Sequence, residues 1–418
     1  MARITEVEIG DVRCFDGTQT ARTRRITLLV GENGAGKSTF LGCYRTLAKL
    51  CNLHDLAEAN HFDEPPFHLG GFDSIVRAGK TAFTVGGTFA GHCHDRVAFT
   101  FQAVGGRPVD RAMELRFRGM SGNSRDLRIT TPAAPGVLLR LQTSGLTFDL
   151  LPGEVSFLSV STWLSRYVRH GHVPFAGDLN RFRRETRRGT DAATEAGFLK
   201  FVSLLTKDLR FPEARAVRAE GLEPTLPPRP RHYDAVPGHL GAGDEGELLA
   251  FLADMGRKLG LWGAVHVDRR LDERGAQVFV DTPSGRFNLL DVGYGVHSLM
   301  ALFSFVHRSA PDTALLLQQP EVHVHPRAQA ALAQWMAESG RSFVVETHSD
   351  HFVDRLRICV MNETLAPDEL SIVYFDRSDA GARCRMHSIS VDAQGNLEGA
   401  PDGYRSFFLD ETRSLLGF

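Results

Sequence analysis

A short segment near the N-terminus has the composition and spacing of a phosphate-binding loop. Residues 31–38 read GENGAGKS and fit the pattern G-x-x-x-x-G-K-[S/T] at every position. Glycines at this spacing let the backbone turn tightly, so that several N–H groups point at an anion beside a helix start. Lys37 is expected to reach the β- and γ-phosphates of ATP, and Ser38 is expected to bind Mg²⁺. The predicted site also includes Asn33, Gly34, Ala35, Gly36 and Thr39.

The side chains that could complete such a site lie far along the chain, after two apolar runs. Residues 314–326 read ALLLQQPEVHVHP, with QQPE at residues 318–321. A second apolar run at residues 343–345 is followed by ETHS at residues 346–349. Because ligands bind at the carboxyl ends of parallel strands, we expect residues 318–321 and 347–349 to converge on the phosphate loop.

Gln318 and Gln319 occupy the positions where an ATPase needs carboxylates. One carboxylate holds Mg²⁺ through its water shell and another polarises the attacking water. Glutamine keeps the shape of glutamate without its charge, so we expect ATP binding with impaired hydrolysis, and Gln318 with Ser38 at the metal. Two explanations stay open: Gln318 is an engineered replacement, or it is natural and Glu321 substitutes as the nearby carboxylate.

The elements that must position these residues follow from hydrophobic patterning. An apolar strand at residues 25–30 runs into the phosphate loop and a helix, and short β-rich segments broken by Gly, Asn and Pro follow. From about residue 161 the pattern turns helical, with the best amphipathic helix at residues 190–209 and a Pro- and Gly-rich stretch after it. The pattern predicts an α/β fold with a mixed central sheet, an antiparallel β-meander and a helical insertion.

Composition indicates a folded protein without bulk attraction to nucleic acid or membrane. The net charge is −2, and 42% of the 418 residues are hydrophobic. The six cysteines include no CxxC pair, and no apolar stretch reaches membrane-spanning length, so we expect a cytoplasmic protein.

A local basic cluster is the exception to this neutral balance. It is a candidate contact for a DNA phosphate backbone, although a solvated face paired with nearby acids explains it equally well. The cluster consists of Arg181, Arg183, Arg184, Arg187 and Arg188.

Taken together, the motifs resemble ABC-class ATPases of the SMC, RecF and OLD type, in particular the bacterial "AAA family" ATPases of anti-phage defence. The resemblance covers nearly the whole chain. It is carried by the segments ALLLQQPEVHVHP, ETHSDH, GDVRCF, FHLGGFDSIV and DVGYGVHSLMALF.

The resemblance implies an ABC-type P-loop ATPase that binds ATP and Mg²⁺ at the interface of a head-to-tail homodimer. It implies that Arg13 approaches the phosphates and that His348 is the switch histidine that orients the attacking water. The segment DVGYGVHS is glycine-punctuated and runs into the apolar residues LMALFSFV, so we expect a helix to follow it with Ser298 or His297 as the capping donor. In the resembling family this segment takes the place of the ABC signature, where Gly295 with His297 or Ser298 would contact ATP of the other subunit. In that family glutamine is common at the position of Gln319, so only Gln318 departs from the family pattern. Such ATPases control a separate effector, a nuclease or toxin.

The resemblance also implies a domain plan. We predict a first lobe with the P-loop and meander, an insertion and linker, a second lobe with signature, Walker B strand and switch histidine, and a tail. The predicted limits are residues 1–160, 161–245, 246–395 and 396–418.

Two other functions compete with this interpretation. A DNA-binding repair ATPase of the RecF or SMC type would use the arginine cluster, and a non-hydrolysing nucleotide sensor would explain the glutamines. A separate alternative for the site itself is a transition-metal ion, because histidines accompany the acidic residues. Its candidate ligands are Glu321, His323, His325, His348, Asp350 and His351.

Overall fold

The computed structural model describes residues 3–51, 61–91, 95–104, 106–118, 124–130, 139–143, 146–150, 219–222, 244–268, 277–377, 383–401 and 404. Its helices are α1 (Lys37–Cys51), α2 (Phe72–Ile75), α3 (Asp244–Leu259), α4 (Tyr294–Arg308), α5 (Pro326–Glu338) and α6 (Asp350–Met361). None of these described helices combines the length and apolar character needed to cross a membrane. The predicted helix at residues 190–209 and the arginine cluster at residues 181–188 lie outside the described residues.

Within the described ranges, eighteen strands form three sheets. The first nine are β1 (Arg3–Gly10), β2 (Thr18–Arg22), β3 (Ile26–Gly31), β4 (Ala82–Ala90), β5 (Arg96–Val104), β6 (Arg107–Arg118), β7 (Ser124–Thr130), β8 (Leu139–Thr143) and β9 (Leu146–Leu150). The others are β10 (Ala219–Leu222), β11 (Val265–Asp268), β12 (Gln277–Thr282), β13 (Gly285–Asn288), β14 (Ala314–Gln318), β15 (Ser342–Glu346), β16 (Leu370–Arg377), β17 (Cys384–Val391) and β18 (Leu397–Glu398).

The chain forms two compact units that interleave in sequence. The first consists of Met1–Thr23, Asn33–Ala219 and Asp376–Met386. The second consists of Arg24–Glu32, Glu220–Phe375 and His387–Phe418. The domain limits predicted from the sequence stay a prediction.

The first unit is built on an eight-stranded antiparallel sheet in the order β2-β1-β4-β5-β6-β7-β8-β9. Alternation of apolar and polar residues buries one face, where the Phe83 and Phe101 rings stack with centroids 5.1 Å apart and Phe62 meets Phe83 edge-on. Helix α1 packs on β1 and β4. The predicted antiparallel meander is confirmed.

The second unit contains a seven-stranded sheet in the order β10-β14-β15-β3-β16-β17-β18 and a three-stranded sheet of β11, β12 and β13. Strands β14, β15, β3 and β16 are parallel, and β17 and β18 are antiparallel. Near-continuous apolar runs such as residues 315–317 and 343–345 are buried because helices cover the sheet. The predicted α/β class with a mixed sheet is confirmed, and the predicted helical insertion falls outside the described residues.

Candidate functional site

The phosphate loop connects a buried strand directly to a helix. Strand β3 ends at Gly31, and α1 begins at Lys37, with the Phe40 N–H donating to the Gly36 carbonyl over 2.9 Å. Lys37 is buried at 3% exposure, whereas Ser38 is exposed. The first N–H groups of a helix have no intrahelical acceptor, so this loop presents donors and a lysine at one helix start.

Gly36 lies directly against Cys14 and Phe15, two residues of the first unit that come before β2 in the chain. Its φ is +101°, and a Cβ built at this position would lie 2.5 Å from Phe15 Cζ and 3.0 Å from Cys14 Sγ. The Phe15 ring is fully buried, and burial raises the pKa of the Cys14 thiol to about 12. The loop therefore rests on an apolar, uncharged support that leaves no space for a side chain at residue 36.

Arg13 stands beside the first turn of α1. Its guanidinium donates from Nε to the Ser74 carbonyl over 3.1 Å, and from Nη2 to the Leu69 carbonyl over 2.9 Å. Nη1 donates to Thr39 Oγ1 over 3.1 Å, one residue after Ser38. These bonds fix a positive charge at the helix start, where an anion would bind.

In the second unit, the strand that enters the phosphate loop belongs to the same parallel sheet as the two predicted motif strands, with β15 beside β3 and β14 beside β15. Strands β14, β15 and β3 are adjacent and parallel, with Gln318 opposite Glu346 and Glu346 opposite Leu29. The Gln319 N–H donates to the Glu346 carbonyl over 2.7 Å, and the Thr347 N–H donates to the Leu29 carbonyl over 3.1 Å. Residues 318–321 and 346–349 thus share one edge of the sheet, and their convergence on the phosphate loop stays a prediction.

Glu321 connects the loop after β14 to the loop after β15. Its side chain is buried at 6% exposure, and Oε1 accepts the His348 N–H over 2.8 Å. Oε2 is buried and has no hydrogen-bond partner among the described residues. Burial raises the pKa of the carboxyl, more than hydrogen bonds from His348 and Thr347 lower it, and repulsion by Glu346 raises it further. The carboxyl fixes the backbone of His348, whose side chain is exposed.

Gln329 adds a second connection that sequence reasoning missed. Its Nε2 donates to the Val324 carbonyl over 2.7 Å, and its Oε1 accepts from Ser349 Oγ over 2.6 Å. Ser349 in turn is the N-cap of α6 and accepts the Phe352 N–H over 3.2 Å. The amide lies on α5, outside every motif of the sequence, so no motif spacing pointed to it.

The histidines are not arranged as a metal site. His325 is the N-cap of α5, with Nδ1 accepting the Arg327 N–H over 3.2 Å, and His323 has a φ of +63°. Residues 319–322 form a turn, not an extended segment, since the Val322 N–H donates to the Gln319 carbonyl over 3.1 Å. Across the described ranges, no group of three or more His, Cys, Asp or Glu could hold a metal ion. The transition-metal alternative therefore gains no support.

Helix α4 begins earlier than the sequence suggested. We expected the helix to follow the segment DVGYGVHS, whereas it starts at Tyr294 with Gly293 as N-cap and no side-chain cap. The early start requires Gly295, because a Cβ there would lie 2.5 Å from the His323 carbonyl oxygen. His297 and Ser298 are half-buried positions within the helix, so neither acts as its cap, and burial lowers the pKa of His297.

Replacing Glu321 with Gln is expected to change how stability depends on pH. Because burial raises its pKa in the folded state, the folded protein binds this proton more tightly than the unfolded chain. The resulting stability is fully present below the ordinary value of 4.5 and is lost as pH rises through the raised pKa. Urea unfolding from about pH 4 to 8 should therefore show wild type losing free energy of unfolding relative to Glu321→Gln.

The matched control for this experiment is Glu338→Gln. Glu338 is exposed on α5 and accepts a hydrogen bond from Gln334 over 2.7 Å. Its replacement should leave the pH dependence of wild type unchanged. A Glu321→Gln protein with the same pH dependence as wild type would contradict the prediction.

Comparison with known proteins gives one family match, in the second half of the chain. Residues 240–354 match the family model AAA_21, described as "AAA domain, putative AbiEii toxin, Type IV TA system". No curated protein matches the chain in sequence.

Among solved structures, the chain is similar to head domains of SMC proteins. The Smc head domain with an extended coiled coil bound to the C-terminal domain of ScpA, from Pyrococcus furiosus, is 12% identical at a TM-score of 0.45, covering 99% of this chain and 100% of that chain. The SmcHead bound to the C-winged helix domain of ScpA is 14% identical at a TM-score of 0.44, covering 93% and 98%. The SMC head domain from Thermotoga maritima is 10% identical at a TM-score of 0.38, covering 93% and 99%. At these TM-scores the likeness identifies no activity or partner for this chain.

Proposed function

We propose that this chain is an ABC-type ATPase that binds ATP with Mg²⁺ and hydrolyses it slowly. One observation carries the proposal: a complete phosphate loop follows β3 at Gly31, and the next two parallel strands on one side of β3, β15 and then β14, lead into residues 346–349 and 318–321. The AAA_21 match over residues 240–354, which contains both of those segments, supports it.

The residues of the phosphate loop have distinct roles in this proposal. The backbone of residues 33–36 and the start of α1 bind the phosphates, Lys37 neutralises their charge, and Arg13 adds a second cation. Ser38 and Gln318 are the proposed Mg²⁺ ligands, because their side chains offer the oxygen atoms that Mg²⁺ prefers. When bound, the ion withdraws charge from the phosphate oxygens.

Slow hydrolysis follows from the side chains at the edge of the sheet. Gln318 and Gln319 carry no charge and accept no proton, and Glu321 is committed to the His348 N–H. His348, exposed at the end of β15, orients the attacking water. The same amides favour the second candidate, a nucleotide sensor that does not hydrolyse ATP.

A homodimer would complete the site. Large apolar side chains are exposed in the second unit at Phe287, Leu290, Tyr294 and Val322, and the Tyr294 ring lies 5.7 Å from the His323 ring. Apolar and aromatic residues are typical of interface cores. In the proposed head-to-tail dimer, the start of α4 with Gly295, His297 and Ser298 contacts ATP bound to the other subunit.

The proposed biological role is control of a separate effector, a nuclease or toxin, in defence against phage. It is supported by the resemblance of the motifs and by the family description, which refers to a toxin of a type IV toxin–antitoxin system. Binding of ATP would set the state of the dimer, and the dimer would hold or release the effector.

Sedimentation and phosphate release together test the proposed function. With ATP and Mg²⁺ the full chain should dimerise, and Val322→Asp should weaken the dimer while leaving ATP binding intact. Gln319→Glu, which introduces a base, should raise turnover by roughly a hundredfold. If wild type and Gln319→Glu both dimerise without turnover, the chain is a nucleotide sensor and not an ATPase. If the chain binds no ATP, both functions are excluded.

A further inference from the structure

Two cysteines that are distant in the sequence lie side by side in the first unit. Cys14 belongs to its segment Met1–Thr23 and Cys384 to its segment Asp376–Met386. The Cys384 N–H donates to the Cys14 carbonyl over 3.0 Å. Residues joined by such a bond have Cα atoms roughly 5–6 Å apart, which is a distance that a disulfide spans. Burial raises the pKa of the Cys14 thiol and the Cys384 thiol raises it further, so the two sulfur atoms are within range of each other.

Backbone contacts fix the position of Cys384 against the segment of Cys14. Phe15 and Cys384 form a parallel β-bridge. Gln19 Nε2 donates to the Cys384 carbonyl over 2.8 Å, and Gln19 Oε1 accepts the Met386 N–H over 2.9 Å. The two thiols are therefore held together by the fold around them, and forming a bond between them requires no rearrangement of the backbone pairing.

The two thiols differ in exposure. Cys14 is half-buried, whereas Cys384 is only 1% exposed. A small oxidant in solution therefore reaches Cys14 first, while Cys384 lies beside it in the interior. A thiol oxidised to a sulfenic acid condenses with a neighbouring thiol to a disulfide. Cys14 is thus placed to react first and Cys384 to close the bond.

Cys14 also touches the phosphate loop, within the same unit. A Cβ built at Gly36 would lie 3.0 Å from Cys14 Sγ, and Sγ lies 3.9 Å from the Ala35 carbonyl oxygen. The sulfur is part of the surface on which the left-handed backbone of Gly36 rests. Because a closely packed interior transmits small displacements, a movement of Sγ changes the support of residues 35 and 36.

We propose that Cys14 and Cys384 are a modification site at which a peroxide forms a reversible disulfide, and that this disulfide weakens ATP binding at the adjacent phosphate loop. The effect on ATP rests on the proposed function, whereas the disulfide does not. The covalent bond brings the sulfur atoms to about 2.05 Å from each other. It thereby displaces Cys14 Sγ from its position against Gly36.

The reaction with hydrogen peroxide balances in two steps. The Cys14 thiolate attacks one peroxide oxygen, which gives a sulfenic acid and a hydroxide ion, and the hydroxide takes up the proton that the thiol released. The Cys384 sulfur then attacks the sulfenic sulfur, and the departing hydroxyl takes the Cys384 proton and leaves as water. The two thiols lose two electrons in total, and the peroxide is reduced to two molecules of water.

Proteolysis without reductant, followed by mass spectrometry, tests for the bond in the full chain. After peroxide treatment and blocking of free thiols, a cross-linked peptide pair should appear that is two hydrogens lighter than its parts. Oxidation over minutes to hours is expected, because a Cys14 pKa of about 12 leaves little thiolate at neutral pH. Cys14→Ser and Cys384→Ser should each abolish the pair, and Cys359→Ser, which removes another buried thiol, should leave it unchanged.

Calorimetric titration with ATP and Mg²⁺ measures the consequence for the phosphate loop. Oxidised wild type should bind ATP about tenfold more weakly than reduced wild type, which corresponds to about 1.4 kcal/mol. Dithiothreitol should restore the affinity, because a thiol reverses a disulfide but does not reverse the oxidation of methionine. Peroxide should leave the ATP affinities of Cys14→Ser and Cys384→Ser at the values of the untreated variants.

Two outcomes overturn the proposal. One is the absence of the cross-linked pair from peroxide-treated wild type, and the other is a complete disulfide with ATP affinity equal to that of the reduced chain. If reduced wild type binds no ATP, the proposed function fails and with it the effect on the phosphate loop. The cross-linked pair then still decides whether Cys14 and Cys384 are a modification site, so the two failures are distinguishable.

Discussion

Replacement of Lys37 by alanine is expected to weaken ATP binding by about a hundredfold. The side chain is buried at 3% exposure in the first turn of α1, where the helix dipole and open N–H groups already favour an anion. A charge-assisted hydrogen bond contributes roughly 1.5–3 kcal/mol, and about 1.4 kcal/mol corresponds to a tenfold change in affinity. Calorimetric titration with ATP and Mg²⁺ measures the loss directly.

The matched control is Lys258→Ala. Lys258 is half exposed on α3, where it forms an ion pair with Asp254 at 2.9 Å. This variant removes the same charge and should bind ATP as wild type does. If Lys37→Ala also binds ATP normally, the segment at residues 31–38 is not a phosphate loop, and both the ATPase and the sensor are excluded.

Gly36→Ala is expected to damage stability and ATP binding together. The φ of +101° is unfavourable for any residue with a Cβ, and the new atom would meet the Phe15 ring at 2.5 Å. The left-handed backbone costs about 1–2 kcal/mol and overpacking about 1–3 kcal/mol, a large share of a domain's net stability of roughly 5–15 kcal/mol. Thermal unfolding and ATP titration of the same preparation test both effects.

Gly34→Ala separates the backbone cost of Gly36→Ala from its packing cost. Gly34 has a φ of +76°, but the nearest atom to a Cβ there is Arg377 Nη1, at 3.9 Å. This variant should show only the backbone cost. Equal destabilisation by the two substitutions would mean that the Phe15 ring moves aside without cost. In that case Gly36→Ala should lower stability by the same amount in a Phe15→Leu background as in wild type.

The sequence predicted the elements of this fold better than the contacts between them. The phosphate loop, the runs that became β14 and β15, and the β-meander each lie in one contiguous segment, so composition and period were sufficient. The pairing of Gln318 with Glu346 joins segments distant in the chain and depends on strand register. The available signal in the sequence was Glu346, an acidic residue that directly follows the apolar residues 343–345 of β15.

The start of α4 could not be predicted for a related reason. Glycines at residues 293 and 295 normally indicate a loop, because glycine disfavours a helix by about 1 kcal/mol. Here the second glycine lies within the helix, and the approach of the His323 carbonyl from another segment leaves no space for a Cβ there. The glycine at residue 295 therefore serves a tertiary contact, which the residues of α4 alone do not reveal.

The close contact between Gly295 and the His323 carbonyl also couples the position of α4 to that of the loop after β14. A side chain between two elements can change rotamer and absorb a displacement, but here the helix meets the carbonyl with no side chain between them. A shift of the loop by a fraction of an ångström would therefore be transmitted to the N-terminal end of α4. The 15 residues of that helix form a rod about 22 Å long, which carries the movement from Tyr294 to Arg308.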